Sequence, residues 1–214
     1  MKLKNVEFDL ATLETVRRIP EGKIEGTFRV TQISTAHGKV SKRNGLTFNY
    51  ILEIGLQSWA HIVRTNNDLT QISIGKVLVE DAPSYVHVIS VTDNYAVLCE
   101  HPVFMDLGKS LLMKGALLPT LGRTRIHIFD LDGEKLMQTF EAPPCWAYHH
   151  VNAYEDGFNV ILEIIAYNDA AMINGPHAYL YIENMKSEKN RMKQAMEGNL
   201  VEVCDGFGVR QSQS

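Results

Sequence analysis

The sequence predicts an all-β protein, and three observations support that fold class. Short stretches alternate apolar and polar residues, as in Val6–Leu10 and Gly26–Ile33, which is the pattern of a strand with one buried face. Turn-forming residues separate the stretches at roughly 8–12-residue intervals, as at Glu155–Gly157. Stretches of helix-forming residues are few. This pattern is typical of a sandwich, a barrel or a propeller, and without exact internal repeats it does not select among the three.

The individual strands follow from the alternation in chain order. A Lys-Arg-Asn-Gly turn at 42–45 supplies a glycine that can take a positive φ, so we expect a hairpin before the strand 47–54. The predicted strands are 6–10, 26–33, 47–54, 58–64, 70–79, 84–91, 94–100, 124–130, 135–140, 148–154, 158–166 and 178–183. The segment 104–119 has little β-branching, and 183–197 is predicted to be a short surface helix near the C-terminus. No linker divides the chain, so residues 1–214 are predicted to form one domain.

Composition and charge exclude several classes of protein. The apolar fraction of 45% and the charged fraction of 21% are ordinary for a globular protein. A net charge of −4 creates no field that would attract nucleic acid, so no nucleic-acid partner is expected. No run approaches the ~20 apolar residues of a membrane span, and the N-terminus has no apolar signal core. The three cysteines are far apart, which favours reduced thiols and a cytoplasmic location.

Four of the eight histidines lie in or beside apolar strands: His37, His87, His149 and His150. Any one of them alone is best interpreted as a neutral core histidine. The spacing of three of them favours a shared metal site instead. The intervals of 50 and 62 residues between His37, His87 and His149 are near the length of one four-stranded propeller blade. If each blade presents one inward histidine, the imidazoles converge on an axis and suit iron, copper or zinc. The remaining four are expected to have structural or solvent roles: His61, His101, His127 and His177.

Five local strings, in chain order, resemble the blocks of one known family. The string 10–15 (LATLET) is similar to its D-P-x-T-L-E-T turn, and 35–37 (TAH) to its T-A-H-P block. The string 85–102 (YVHVISVTDNYAVLCEHP) resembles YVHSF-x-L-T-x-N-Y…E-x-P, and 148–157 (YHHVNAYEDG) resembles F-H-H-x-N-A-[FYW]-E-[DE]. The strand 125–130 is similar to the one before the third histidine block. The family is that of the carotenoid cleavage oxygenases.

This resemblance implies a fold, a cofactor and a reaction. The family fold is a seven-bladed β-propeller with Fe(II) held on its axis by four histidines. His37, His87 and His149 match the first three ligand positions, and His150 would point to the opposite face because strand side chains alternate. The family reaction is the cleavage of a polyene double bond by O₂, so a carotenoid or apocarotenoid and O₂ are the implied partners. A minority of members isomerise and hydrolyse retinyl esters.

The sequence departs from the family pattern at three points. Gly38 replaces the proline that follows the first histidine, no string resembles the fourth histidine block, and the chain is less than half the family's length. We therefore expect a partial propeller of about three to four blades, with unpaired strand edges. In the family, glutamates accept a hydrogen bond from the second ring nitrogen of the ligand histidines. The sequence does not assign this role to Glu100 or Glu155. By itself, this polypeptide is expected to be poorly active or inactive.

Several alternatives stay open at this point. The apolar run 111–119 is either a peripheral membrane contact or part of the core. The chain could be a non-catalytic β-propeller binding module, a retinoid isomerohydrolase-like member, or a zinc hydrolase with Glu155 as its base. The sequence has no His-Glu-x-x-His motif, which disfavours the hydrolase. Which polyene is used and which bond is cut do not follow from the sequence.

Overall fold

The computed structural model describes residues 5–19, 31–66, 70–80, 82–105, 117–119, 122–167, 199–204 and 208–211. These residues form seventeen β-strands and no helix. The strands are β1 (Asn5–Phe8), β2 (Thr15–Ile19), β3 (Thr31–Ser34), β4 (Lys39–Val40), β5 (Thr47–Ile54), β6 (Ser58–Thr65), β7 (Gln71–Val79), β8 (Ser90–Val91), β9 (Tyr95–Glu100), β10 (Val103–Met105), β11 (Leu117–Pro119), β12 (Thr124–Asp130), β13 (Lys135–Ala142), β14 (Trp146–Asp156), β15 (Asn159–Tyr167), β16 (Asn199–Cys204) and β17 (Gly208–Gln211). The predicted all-β class is confirmed.

Three antiparallel sheets make up most of the described structure. The first sheet has the order β3-β5-β6-β7, with β4 also pairing with β5. The second sheet has the order β13-β12-β9-β8, and the third has the order β14-β15-β16-β17. Two further pairs, β1-β2 and β10-β11, stand apart from these sheets. Each large sheet therefore consists of strands that are close together in sequence.

The second sheet is buried on both faces, and β9 shows how. Ala96 and Leu98 belong to a core shared with the first sheet, whereas Val97 and Cys99 belong to a core shared with the third. Successive side chains of a strand point to opposite faces, so one strand contributes to both cores. The apolar run of β9 follows from this double burial, and the three sheets pack in the order first, second, third.

Turn residues define the hairpins between strands. Gly45 has φ +71° in the predicted turn before β5, and Gly157 has φ +61° between β14 and β15. Glycine takes this backbone conformation without steric cost. Between β12 and β13, the Asp130 carboxylate accepts hydrogen bonds from the backbone N–H groups of Asp132 and Gly133. In such an Asx turn, the aspartate side chain satisfies the backbone N–H groups of the reversing segment.

The first two sheets contain the same buried arrangement of a glutamate, a histidine and a hydroxyl on three adjacent strands. In the first sheet, His61 Nε2 lies 3.1 Å from Glu53 Oε2, and Nδ1 lies 3.0 Å from Ser73 Oγ. In the second sheet, His127 Nε2 lies 3.0 Å from Glu100 Oε2 and Nδ1 lies 2.8 Å from Thr139 Oγ1. We call His61 and His127 the paired histidines. Both ring nitrogens of each paired histidine have partners within the protein, which is consistent with the structural or solvent role expected from sequence.

Some sequence predictions require correction or fall outside the described residues. The segment 84–91 is not one strand, because only the bridges at Ser84 and Val88 and the two residues of β8 are paired. The prediction did not include β2, β4, β10, β11, β16 or β17. The predicted strand 178–183 and helix 183–197 lie outside the described residues, as does most of the run 111–119. None of the described residues forms a helix of the length and apolar character that a membrane span requires.

Candidate metal centre

His37 lies in the connection between β3 and β4, and two sets of contacts fix its position. A parallel bridge joins His37 to Val88, so the segments of the first two predicted ligands run side by side. The backbone N–H of His37 donates to Thr35 Oγ1 at 3.1 Å, and Thr35 Oγ1 donates to Asn49 Oδ1 at 2.9 Å. Asn49 in turn donates to the carbonyl of Thr35 at 3.0 Å. The segment is therefore anchored to β5 by a polar side chain.

The structure brings His37, His87 and His149 together, and we call these three residues the open cluster. Their ring centroids are 4.5 Å apart for His37 and His87, 4.8 Å for His87 and His149, and 5.3 Å for His37 and His149. One ring nitrogen from each lies within 4.8 Å of the others. Residues separated by more than a hundred positions in sequence thus converge, with nitrogens placed where one metal ion could contact all three.

The electrostatics of the open cluster favour neutral imidazoles at His87 and His149. His37 and His149 are exposed, whereas His87 is half-buried. Burial, together with the neighbouring His37 and His149, lowers the pKa of His87 to about 4. The pKa of His149 is also lowered, chiefly by burial and then by His37 and Lys39. A neutral imidazole has the lone pair that a metal requires, so the lowered pKa values of His87 and His149 favour metal binding.

The two ring nitrogens of His87 have different surroundings. Nδ1 lies 3.2 Å from the Tyr85 hydroxyl, whereas Nε2 is buried with no hydrogen-bond partner in the described chain. Tyr85 also hydrogen-bonds Tyr148, and burial raises the pKa of the Tyr85 phenol, which therefore stays protonated. If Tyr85 donates to Tyr148, it accepts from Nδ1–H, and the lone pair of Nε2 faces the cluster. An orphaned buried nitrogen in an all-imidazole donor set fits a metal ion such as iron.

An apolar cavity adjoins the open cluster. It has a volume of about 240 Å³, and His87 is one of its walls. The lining residues are Ile33, Ser34, Thr35, Ala36, Tyr50, Ser84, Tyr85, Val86, His87 and Met105. Tyr50 and Ile33 also pack in or against the core shared by the first two sheets. The cavity thus extends from His87 toward the interior between those sheets.

Neither of the two glutamates considered from the sequence lies in the open cluster. Glu100 contacts His127 and is also 3.2 Å from Arg125 Nε. Glu155 accepts hydrogen bonds from Thr92 Oγ1 at 2.6 Å, from the backbone N–H of Asn94 at 2.8 Å and from its side chain at 2.7 Å. Burial would raise the pKa of Glu155, but these hydrogen bonds lower it below its ordinary value. A tightly held, weakly basic carboxylate does not suit the hydrolase base proposed from sequence.

A second group of metal-ligating side chains was not predicted. Cys99, His101 and His150 are all buried, and one ligand atom of each lies within 4.8 Å of the others. Burial raises the pKa of the Cys99 thiol and lowers the pKa of His101 to about 4 and of His150 to about 3. The sequence carried one signal, since Cys99 and His101 are two residues apart, a spacing that places side chains on the same side of an extended segment. His150 belongs to this group and His149 to the open cluster, as their predicted opposite directions require.

An all-β fold with converging histidines beside an apolar cavity defines the chain as a candidate metal-binding protein. Comparison with known proteins makes the assignment specific. The family model described as retinal pigment epithelial membrane protein (RPE65) matches residues 4–206, and the chain belongs to this family, which includes the carotenoid cleavage oxygenases. The predicted resemblance is confirmed.

Characterised relatives carry carotenoid-cleaving names. The rat beta,beta-carotene 15,15'-dioxygenase is 34% identical over 123 residues, a match that covers 52% of this chain and 21% of the relative. The Drosophila melanogaster carotenoid isomerooxygenase is 29% identical over 119 residues, covering 50% and 18%. The Crocus sativus carotenoid 9,10(9',10')-cleavage dioxygenase is 27% identical over 115 residues, covering 50% and 21%. The matches thus span about a fifth of the length of these relatives.

Solved structures share the fold across nearly the whole chain. Cobalt-substituted Synechocystis ACO has a TM-score of 0.64 at 16% identity, covering 96% of this chain and 43% of that one. A chimera of ACO and RPE65 has a TM-score of 0.63 at 15% identity, with the same coverage of both chains. At such low identity, the likeness shows the fold, and the chain spans less than half of each structure.

Proposed function

We propose that this chain supplies three iron ligands, His37, His87 and His149, to a non-haem Fe(II) dioxygenase that cleaves a carotenoid or apocarotenoid with O₂. The observation that carries the proposal is the open cluster itself, in which the buried Nε2 of His87 has no partner in the described chain. A buried polar atom without a hydrogen bond is costly, by about 1–3 kcal/mol. A bound metal ion removes that cost.

The proposed architecture is a partial seven-bladed β-propeller within a single domain, residues 1–214. The three large sheets correspond to blades, because each is antiparallel, built from strands that are close together in sequence, and packed face to face on the next. The parallel bridge between His37 and Val88 supports this arrangement, since inner strands of neighbouring blades approach each other around an axis. The exposed sides of His37 and His149 then face that axis.

The residues of this chain have distinct parts in the proposed chemistry. When bound, Fe(II) supplies coordination sites at which O₂ can be activated. The imidazoles of His37, His87 and His149 would hold the ion through ring nitrogens, and Tyr85 orients His87 through Nδ1. The apolar cavity beside His87 excludes water and offers a surface that suits a polyene. A polyene has no charged group for the protein to recognise, so an apolar wall is sufficient for binding.

The experiment that tests the proposal separates metal binding from cleavage. The purified chain is reconstituted anaerobically with ferrous iron, and bound iron is measured after desalting. We expect about one iron per chain in the wild type and none above background in the triple variant His37→Ala/His87→Ala/His149→Ala. Polyene consumption and carbonyl products are then followed chromatographically in air, with β-carotene and an apocarotenal as substrates.

The outcomes distinguish the candidate functions. Iron binding that depends on the three histidines, together with O₂-dependent loss of the polyene, supports the dioxygenase. Release of retinol from a retinyl ester without O₂ consumption would support the isomerohydrolase-like alternative. Iron far below one per chain would favour the non-catalytic binding module and would contradict the proposed role of the open cluster.

A peripheral membrane contact through 111–119 is part of the proposal, because carotenoids partition into lipid and an apolar surface run would bring the site to its substrate. Flotation with liposomes tests it on the purified chain. Replacement of two leucines by charge, Leu112→Glu and Leu117→Glu, is expected to reduce the lipid-bound fraction several-fold. Unchanged flotation would place these leucines in a core instead.

A further inference from the structure

A second candidate site lies in the core between the second and third sheets, away from the proposed iron. Cys99 is on β9, His101 follows the end of that strand, and His150 is on β14. Their exposed fractions are 2%, 3% and 8%, so solvent reaches none of them freely. One ligand atom from each residue lies within 4.8 Å of the other two. A thiol and two imidazoles therefore converge in a buried space.

The ring of His101 is oriented for a ligand that is not protein. Its Nδ1 lies 3.0 Å from the carbonyl oxygen of Cys145, and a carbonyl only accepts, so Nδ1 carries the proton. Nε2 then holds the lone pair, and it is buried with no hydrogen-bond partner among the described residues. Buried polar atoms of native proteins are rarely left in this state. The geometry is that of a metal-ligating histidine whose other nitrogen is fixed by the backbone.

A similar contact holds His150. Its Nδ1 lies 2.7 Å from Ser90 Oγ, a hydroxyl at the start of β8. That contact fixes the plane of the ring and directs Nε2 away from β8. Cys145 Sγ is 3.9 Å from His101 Nδ1 and 3.5 Å from Thr124 Oγ1, so this second thiol lies behind the His101 ring and outside the group of three.

We propose that Cys99, His101 and His150 form a buried three-coordinate site for Cu(I). A thiolate is a soft donor that selects Cu(I) or zinc over iron(II) or magnesium. Charge decides between Cu(I) and zinc. One thiolate and one Cu⁺ have a net charge of zero, whereas one thiolate and Zn²⁺ would leave a net positive charge in an apolar core. Structural zinc also takes four protein ligands in nearly every case, and the group supplies three.

Binding requires a small contraction and the loss of one proton. At metal–ligand bonds of roughly 2.0–2.3 Å, a trigonal ion separates its donors by about 3.6 Å, so side chains within 4.8 Å of one another must close by at most about 1 Å. The thiol proton leaves to solvent as the sulfur–copper bond forms, and no electron is transferred. The bound ion would join β9 of the second sheet to β14 of the third.

The test uses the 214-residue chain with His37, His87 and His149 replaced by alanine and with Cys204→Ser, which leaves the buried group intact. Cu(I) is added anaerobically against a chromophoric Cu(I) chelator. We expect one equivalent bound, with one sulfur and two nitrogen ligands in the X-ray absorption spectrum. Cys99→Val should weaken Cu(I) binding by at least about 100-fold, because it removes a ligand rather than an outer partner. Cys145→Ser is the matched control, since it changes the neighbouring thiol and keeps the carbonyl.

Several results would overturn the proposal. These are binding that survives Cys99→Val, binding lost equally in Cys145→Ser, or a copper spectrum without sulfur. Tighter binding of Zn(II) than of Cu(I) would overturn the choice of metal. The absorption spectrum is measured on the unsubstituted group, so it is decisive even if Cys99→Val does not fold. A rise in Tm on Cu(I) addition, seen in Cys145→Ser and absent in Cys99→Val, would support the joining of the two sheets.

Discussion

The open cluster and the paired histidines use the same side chain in opposite ways. Each paired histidine is buried, with a carboxylate on Nε2 and a hydroxyl on Nδ1, so both ring nitrogens have partners. In the open cluster, two of the rings are exposed, and the half-buried His87 has a partner on Nδ1 alone within the described chain. The first arrangement is complete without a ligand, whereas the second is completed by one.

This difference gives a physical criterion for reading histidines in such a fold. Burial by itself does not separate structure from function, because the paired histidines are more buried than any member of the open cluster. The state of the second ring nitrogen does separate them. A histidine whose two nitrogens are satisfied contributes to folding, and a histidine with an unpartnered nitrogen facing other ligands is a candidate for metal binding.

The largest expected effect is on metal affinity. If it is not observed, the contrast between the open cluster and the paired histidines is wrong. His87→Ala should weaken ferrous iron binding by at least about 100-fold, because the loss of a ligand exceeds the 10–100-fold cost of losing an outer partner. Anaerobic iron titration of the purified chain measures this. The matched control is His127→Gln, a substitution of a paired histidine that should leave iron binding unchanged. Equal losses in both variants would remove the distinction between the two sets.

The next effect is on stability, and it concerns the first-sheet pair. Glu53→Leu should lower the free energy of unfolding by about 1–3 kcal/mol, because it leaves the buried ring nitrogen of His61 without its hydrogen-bond partner. Replacing both residues, Glu53→Leu with His61→Leu, should cost less than that single change. Urea denaturation gives both values. If the loss of unfolding free energy in the double variant equals the sum of the losses in the two single variants, the two side chains do not act as a pair.

A smaller effect is expected from the partner of His87. Tyr85→Phe removes the hydroxyl that contacts Nδ1 at 3.2 Å and keeps the ring in the cavity wall. Ferrous iron affinity should fall by about tenfold, the lower end of the range for outer partners of metal-ligating histidines. Tyr95→Phe on β9 serves as the control. If both variants bind iron as the wild type does, Tyr85 has no orienting role.

How far the sequence predicts this molecule differs between local and long-range features. The strands 47–54 and 124–130 have the predicted bounds, because alternation and turn residues act over a few positions. The segment around His87 was predicted as a strand because it is apolar, yet its pairing is confined to isolated bridges and β8. The β-propensity of a short segment does not determine whether that segment pairs with a neighbouring strand in the folded protein.

The site shows the same limit. His37, His87 and His149 could be selected because family blocks surround them, but their convergence depends on how three sheets pack. His101 was assigned a structural or solvent role because it precedes a proline at a strand end. Its unpartnered Nε2 and its neighbour from β14 are products of tertiary packing, for which a single sequence carries no direct signal.

The smallest expected effect is the pH dependence that the first-sheet pair adds to stability. Burial lowers the pKa of His61 in the folded protein, against the opposing influence of Glu53. As the pH falls below about 6.5, the unfolded chain therefore takes up a proton before the folded chain does. The free energy of unfolding should then decrease on acidification, with the full contribution present above that pH. Urea midpoints near pH 7.5 and 5.5 should differ more in the wild type than in the Glu53→Leu/His61→Leu double variant. Other histidines with lowered pKa act in the same direction in both proteins, so the difference isolates His61. An equal drop in both would show that His61 does not contribute.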